Sequence, residues 1–65
     1  MKFDMEMGEK LAKGGAVRRA AWDGNTILVR EAVLGMLHLK VDGVYFPYAF
    51  SYEDATADDW ELVDG

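Results

Sequence analysis

The spacing of apolar residues changes from a helical period to strict alternation near residue 16. In the first segment, apolar side chains recur every fourth residue, at Phe3, Met7 and Leu11. This stripe predicts an amphipathic helix over about residues 3–13. Asp4 is placed to cap the first turn, and Gly14 followed by Gly15 is typical of a helix end.

From Ala16 onward, apolar and polar residues alternate between short turn signals, a pattern that predicts β-strands. The predicted strands span about residues 16–22, 26–31, 36–41, 44–49 and 60–63. Asp42-Gly43 is the strongest hairpin signal in the chain. Pro47 has no N–H to donate, so its strand is predicted at a sheet edge. The sequence thus predicts one α+β domain over residues 1–65, with an N-terminal helix packed on a curled antiparallel sheet of about five strands.

The segment before the last predicted strand combines a turn signal with a tryptophan among acids. Ser51 and Asp54 have the spacing of a capping box, which predicts a short capped turn. Simple alternation then turns Trp60 inward while Asp59 and Glu61 turn outward.

Length and cysteine content limit what can stabilise such a domain. A chain of 65 residues buries only about 60% of the surface that its unfolded form exposes. There is no cysteine, which excludes disulfides and thiolate metal sites. Chains below roughly 70–80 residues usually need a disulfide, a bound metal or a partner chain to remain folded, so we expect a homo-oligomer.

Charge and hydropathy exclude two classes of partner. The formal net charge of −5 disfavours bulk nucleic acid, whose binding depends on clustered Lys and Arg. No apolar run approaches the ~20 residues of a membrane span. The N-terminus also lacks the apolar region of a signal peptide, so we expect a cytoplasmic protein that does not bind membranes.

The residues that usually carry catalysis are sparse. Ser51 has no histidine at a motif spacing, and His38 alternates with leucines, which predicts that it points to solvent. Clustered acids after residue 53 are typical of a solvated surface. We therefore expect neither an enzyme nor a bound cofactor or metal.

Two groups of side chains suit ligand binding instead. Aromatic residues lie at predicted turns or strand ends: Trp22, Tyr48, Tyr52 and Trp60. Arginines lie on neighbouring predicted strands: Arg18, Arg19 and Arg30. The rings can stack on planar bases or simply complete the core, and the arginines can bind phosphate or pair with Glu31, Glu61 or Asp59.

Two ordered sets of residues, one near each end of the chain, resemble a known family. The first set is Leu11, Gly14, Val17, Arg19 and Trp22, and the second is Pro47, Tyr48, Ser51, Asp54, Ala57, Asp59 and Trp60. In this order they resemble the signatures of the phage Thoeris anti-defense proteins of the second type. Tyr48 stands where a tryptophan is more usual in that family.

The resemblance implies a sponge that holds a signal without chemical change. Members of that family bind cyclic ADP-ribose isomers, and some also bind cyclic dinucleotides, so that the downstream bacterial defence is silenced. It also implies a homotetramer with ligand pockets between protomers, acting in the cytoplasm of the infected host cell. The ligand-binding residues that it implies here are Phe3, Arg19, Trp22, Tyr48, Asp54 and Trp60.

The resemblance assigns a role to each of these residues. Aromatic rings stack on the base or form the pocket wall, Asp54 accepts from ribose or braces the turn, and Arg19 either meets phosphate or pairs with Asp59. Two alternatives remain open: an acidic protein-binding inhibitor of a defence nuclease, similar to an anti-CRISPR, and a small structural phage protein without a ligand.

Overall fold

One antiparallel sheet organises the chain in a computed structural model that describes residues 1–63. The elements follow in the order α1 (Met5–Ala12), β1 (Ala16–Arg19), β2 (Thr26–Arg30), β3 (Leu37–Val41), β4 (Val44–Pro47), α2 (Tyr52–Thr56) and β5 (Trp60–Val63). The predicted α+β class is confirmed, with an N-terminal helix and an open sheet of five antiparallel strands.

The strand order, β4-β3-β2-β1-β5, places the last strand beside the first. Strands β1 to β4 form a meander, and β5 returns to pair with β1. The strand that ends at Pro47 lies at an edge, as its missing N–H predicted. At the other edge, the Trp60 N–H donates to the Met1 carbonyl at 2.9 Å, so the N-terminal residue covers part of β5.

Three predicted element ends differ from the structure by two residues or more. Helix α1 begins at Met5, since the extended Asp4 accepts from the Met7 N–H at 3.2 Å as its N-cap. Strand β1 ends at Arg19, not residue 22, because the Trp22 N–H bonds the Arg19 carbonyl at 3.0 Å and turns the chain. Strand β4 ends at Pro47, not residue 49.

The helix end predicted at Gly14 and the hairpin turn predicted at Asp42-Gly43 are both present. Gly14 has a φ of +85°, and its N–H bonds the Leu11 carbonyl at 3.1 Å, which closes the C-terminus of α1. Asp42 and Gly43 have φ values of 50° and 82°, the left-handed pair that a two-residue hairpin turn needs. Neither α1 nor α2 combines the length and apolar character needed to cross a membrane.

The core is small and lies between α1 and one face of the sheet. Its buried side chains are Met7, Leu11, Val17, Leu28 and Trp60. Val17 is paired with Leu28 on one side and with Leu62 on the other, so these side chains share a face. Because opposite faces alternate, the neighbouring positions Ala16 and Val29 lie on the other side of the sheet.

Candidate functional site

The structure brings the six residues predicted to bind ligand into one connected group. We call this group the aromatic–carboxylate cluster; it consists of Phe3, Arg19, Trp22, Tyr48, Asp54 and Trp60. The residues come from the N-terminal segment, β1, the β1–β2 turn, the segment after β4, α2 and β5. Each of them contacts at least one other member through a ring contact, a hydrogen bond or an ion pair.

Trp60 lies at the centre of the cluster and is 1% exposed. Its ring meets Phe3 at 5.2 Å and Trp22 at 5.4 Å between centroids, in both cases edge to face. Trp22 in turn meets Tyr48 edge to face at 6.0 Å. Edge-to-face packing pairs the positive rim of one ring with the negative face of the next, so the rings fix one another's orientation.

Asp54 connects three elements although its side chain carries a charge and is almost fully buried. It is 2% exposed, and its carboxylate accepts from the Tyr48 hydroxyl, from the Ser51 N–H at 2.9 Å and from the Arg19 guanidinium at 3.4 Å. Its own N–H donates to the Ser51 hydroxyl at 3.1 Å, which completes the predicted capping box. Its main-chain oxygen accepts from the indole N–H of Trp60 at 2.8 Å.

These contacts keep Asp54 ionised and Tyr48 neutral. Burial raises the pKa of Asp54, but hydrogen bonds from Tyr48 and Ser51 and the nearby Arg19 charge outweigh it, so the pKa lies below its ordinary value. Burial, together with the hydrogen bond to Asp54, raises the pKa of Tyr48 to about 12. At neutral pH the phenol therefore donates and the carboxylate accepts.

Arg19 is paired with two carboxylates rather than left unpaired for a phosphate. Its Nε donates to Asp59 at 2.9 Å, and its Nη1 lies 3.4 Å from Asp54. The bond to Arg19 is the main reason why the pKa of the Asp59 carboxyl is lowered. Of the two roles open to Arg19, pairing with Asp59 is the one present, and its side chain remains 22% exposed.

Phe50 belongs to the same packing although it was not among the predicted site residues. Its ring stacks on Trp60 at 5.6 Å with an interplanar angle of 15°, and it meets Phe3 at 4.9 Å. Its position two residues after Tyr48, the spacing of side chains that share one face of an extended segment, is the sequence signal that could have identified it. Trp60 is therefore enclosed by rings on several sides.

A second feature, absent from the sequence predictions, is a groove on the opposite face of the sheet. We call it the basic groove; its polar and aromatic lining is Lys10, Lys13, Arg30, Glu31, His38, Lys40 and Tyr45. Its volume is about 840 Å³, and Ala16, Val29 and Val63 line its apolar part. None of the six cluster residues lines it. Its cations come from α1, the residue that follows it, β2 and β3, so no local sequence motif identifies them.

Within residues 1–63, no group of three or more His, Asp or Glu side chains is arranged to hold a metal ion. His38 lines the basic groove, with Nδ1 3.3 Å from the Met36 carbonyl and its ring edge-on to Tyr45 at 6.5 Å. It thus lies on the face away from the core.

A comparison with known protein families gives a match over almost the whole chain. A model of the Thoeris anti-defense 2-like domain matches residues 1–63. The match spans all six residues of the aromatic–carboxylate cluster and every residue of the basic groove. No match was found among curated proteins.

Proposed function

The chain belongs to the Thoeris anti-defense 2-like domain family, and from this premise we propose that it binds and sequesters a cyclic nucleotide immune signal. The signal class is cyclic ADP-ribose isomers, with cyclic dinucleotides as a second ligand class. The family itself supports an anti-defense role. In this proposal the protein acts by holding the signal intact in the cytoplasm of the infected cell, without catalysis and without a cofactor.

The observation that carries the proposal is the convergence of the aromatic–carboxylate cluster. Six residues separated by up to 57 positions, from Phe3 to Trp60, lie in one connected group. Aromatic rings stack on a purine with large contact area and little loss of side-chain freedom. The Arg19 guanidinium, held by two carboxylates, supplies a polar group that a phosphate or ribose requires.

Burial divides these residues into a base and a contact surface. Trp60 and Asp54 are buried, so we assign them to the base that fixes the other side chains. Trp22, Tyr48 and Phe3 are half-buried, so part of each side chain remains accessible to a nucleobase. Arg19, fixed by two carboxylates, presents its remaining exposed atoms beside them.

We further propose that the protein acts as a homotetramer in which a neighbouring protomer completes the ligand pocket. The half-buried rings leave part of the cluster exposed, whereas a nucleotide site usually buries most of its ligand. The small core also favours association, because a chain of this size gains stability from a partner.

Isothermal titration with cyclic ADP-ribose isomers tests the proposal. Trp22→Ala removes one stacking surface and should weaken binding by about tenfold or more, since stacking on a base contributes about 1–3 kcal/mol. The matched control is Tyr52→Ala, which removes an aromatic that is 83% exposed and outside the cluster; its binding should equal that of the wild type. Circular dichroism checks that both variants fold.

The same samples distinguish sequestration from turnover and from the alternative functions. Ligand released by heating should be recovered chemically intact, and native mass spectrometry should show four chains with bound nucleotide. Hydrolysed ligand contradicts a sponge. The absence of heat with every cyclic ADP-ribose isomer and cyclic dinucleotide leaves no support for signal binding.

A further inference from the structure

Arg18 starts from the face of the sheet opposite to the aromatic–carboxylate cluster. In the pairing of β1 with β5, Arg18 lies across from Glu61. The next pair joins Arg19 to the buried Trp60, and neighbouring positions on a strand point to opposite faces. The guanidinium of Arg18 therefore begins on the outer face, yet its hydrogen bonds go to the segment that carries Trp22.

The β1–β2 turn, residues 20–25, is held only in part by the sheet. Within residues 1–63, the register of β1 with β2 covers Ala16 and Val17, the first two of the four residues of β1. The chain then leaves the ladder and returns to it at β2. A segment with few ladder bonds opens easily unless side chains hold its main chain.

Two side chains bond the main chain of this turn. The carboxylate of Asp59 accepts from the Ala21 N–H at 3.3 Å. The guanidinium of Arg18 binds two carbonyls, with Nη2 donating to Trp22 at 2.5 Å and Nη1 donating to Gly24 at 3.2 Å. A carboxylate accepts and a guanidinium only donates, so each side chain bonds main-chain groups that the other cannot.

The position of the Arg18 guanidinium follows the turn more closely than its ion pair. Its Nε lies 3.6 Å from Glu61, whose side chain is 56% exposed, and such exposed pairs contribute little. The Nε is buried and has no hydrogen-bond partner within residues 1–63. The Arg18 side chain is 19% exposed, so water competes only weakly for its bonds to the two carbonyls.

These bonds fix the main chain of Trp22 on both sides of its Cα. The Trp22 N–H donates to the Arg19 carbonyl at 3.0 Å, and the Trp22 carbonyl accepts from Arg18. The ring itself meets Trp60 at 5.4 Å and Tyr48 at 6.0 Å. Ring contacts thus orient the side chain, while Arg18 holds the main chain from which that side chain extends.

We propose that Arg18 is a positioning residue for the ligand surface of the aromatic–carboxylate cluster. It acts through Trp22 rather than through contact with the ligand. This inference rests on the proposed function, in which Trp22 stacks on a nucleobase. A ring that is held in place before binding loses little freedom when the ligand arrives, so its affinity exceeds that of a ring on a mobile turn.

Isothermal titration uses the cyclic ADP-ribose isomer that binds the wild type most tightly. Arg18→Met removes both carbonyl bonds and should weaken binding by about two- to tenfold, the cost of ordering one side chain on binding. Arg18→Lys keeps the charge but lacks the planar fork that spans two carbonyls, so it should weaken binding similarly. Glu61→Gln is the matched control: it removes the long ion pair, leaves both carbonyl bonds and should bind like the wild type.

Fluorine NMR of protein that contains 5-fluorotryptophan gives a readout that a general loss of stability does not produce. The chain has two tryptophans, so two resonances are expected, and Trp22→Phe assigns them. In ligand-free Arg18→Met and Arg18→Lys, the Trp22 resonance should shift and broaden while the Trp60 resonance keeps its wild-type position. Saturating ligand should narrow the Trp22 line again, because binding then orders the turn.

The ligand-free spectra distinguish failure of this proposal from failure of the proposed function. When no cyclic nucleotide binds the wild type, the proposed function fails, and the Trp22 resonance still shows whether Arg18 fixes the turn. When Arg18→Met does not fold, Arg18→Lys supplies both measurements.

Three results overturn the positioning role of Arg18. The first is that Arg18→Lys has the affinity and the Trp22 resonance of the wild type, which shows that charge alone suffices. The second is that affinity falls while the Trp22 resonance is unchanged, which indicates direct contact with the ligand. The third is that the Trp22 resonance changes while affinity does not, which shows that binding does not depend on order in the turn.

Discussion

The indole N–H of Trp60 donates a hydrogen bond of 2.8 Å to the main-chain oxygen of Asp54. Trp60 is 1% exposed and Asp54 is 2% exposed, so neither group can exchange this bond for one to water. A buried polar group without a partner is costly. This bond therefore joins β5 to α2 and makes the position of each depend on the other.

Removal of the Trp60 indole should destabilise the protein in two steps. Trp60→Phe leaves the Asp54 oxygen unpaired and should lower the free energy of unfolding by about 1–3 kcal/mol. Trp60→Ala also removes the ring at the centre of the core and should lower it by about 3–5 kcal/mol. Urea unfolding followed by circular dichroism at one protein concentration measures both.

The control for this pair is Tyr52→Ala, because the Tyr52 ring is large and exposed. Its effect should stay within about 0.5 kcal/mol, as expected for surface substitutions. A Trp60→Ala protein as stable as this control contradicts the assignment of Trp60 to the base of the cluster.

Acid should destabilise the fold through the two carboxylates that bind Arg19. The bond from Arg19 is the main cause of the lowered pKa of Asp59; at Asp54, burial raises the pKa but the bonds from Tyr48 and Ser51 and the Arg19 charge outweigh it. Because both folded pKa values lie below the unfolded value of about 3.9, the stabilisation is complete above that pH. It is lost as pH falls through the folded values.

Urea unfolding at a series of pH values, from neutral downward, measures this loss. Asp59→Asn should flatten the acid dependence because one of the two linked carboxyls is gone. Asp58→Asn changes the adjacent, exposed carboxyl and should reproduce the wild-type profile. Equal profiles for all three proteins contradict the linkage.

Alkali should act through Tyr48. Its folded pKa is raised to about 12, chiefly by burial and by the bond to Asp54. An ordinary tyrosine titrates near pH 10, so the neutral phenol contributes stability that is complete below about pH 10 and is lost as pH rises through its folded value. Tyr48→Phe should remove this alkaline dependence.

A spectroscopic titration isolates the Tyr48 phenol directly. In a Tyr45→Phe, Tyr52→Phe double variant, Tyr48 is the one remaining tyrosine. The ultraviolet absorbance of tyrosinate should then appear with a midpoint near 12. A midpoint near the ordinary value of about 10 shows that the phenol is not held by Asp54.

The β3–β4 hairpin should be sensitive to a side chain at Gly43. Its φ of 82° lies in the left-handed region, so Gly43→Ala should lower the free energy of unfolding by about 1 kcal/mol. No atom lies within 4 Å of the added Cβ, so the cost is one of backbone conformation. Gly24→Ala is the matched control: it is equally open but has no left-handed φ, and it should be neutral or slightly stabilising.

Most of what the sequence predicted about the fold came from the spacing of its apolar residues and from its turn residues. The four-residue stripe identified α1, and the alternation from Trp60 to Val63 identified β5, because each pattern matches the geometry of its element. Hydrogen bonds in neighbouring turns moved the ends of other elements away from their predicted positions. The bond from Trp22 to Arg19, for example, depends on the path of the chain rather than on residue type.

The two candidate sites differ in how far sequence anticipated them. The aromatic–carboxylate cluster was predicted because its residues fall in an ordered signature that resembles a known family. The basic groove was not predicted, because Lys13, Arg30 and Lys40 come from the segment after α1, from β2 and from β3, which only the folded chain brings together. The pairing of Val29 with His38 and of Lys40 with Tyr45 places those side chains on one face only after the register is known.

The position of β5 beside β1 also determines when the protein can fold. Strands β1 to β4 pair with near neighbours in sequence, but Arg19 finds Trp60 only after 40 intervening residues. Contacts of such separation slow folding, because a long loop must close before they form. During translation, β1 to β4 are synthesised before Trp60, so the meander can pair before the central core residue exists. The nascent chain therefore passes through a stage in which most strand pairs can form while the hydrophobic core is incomplete.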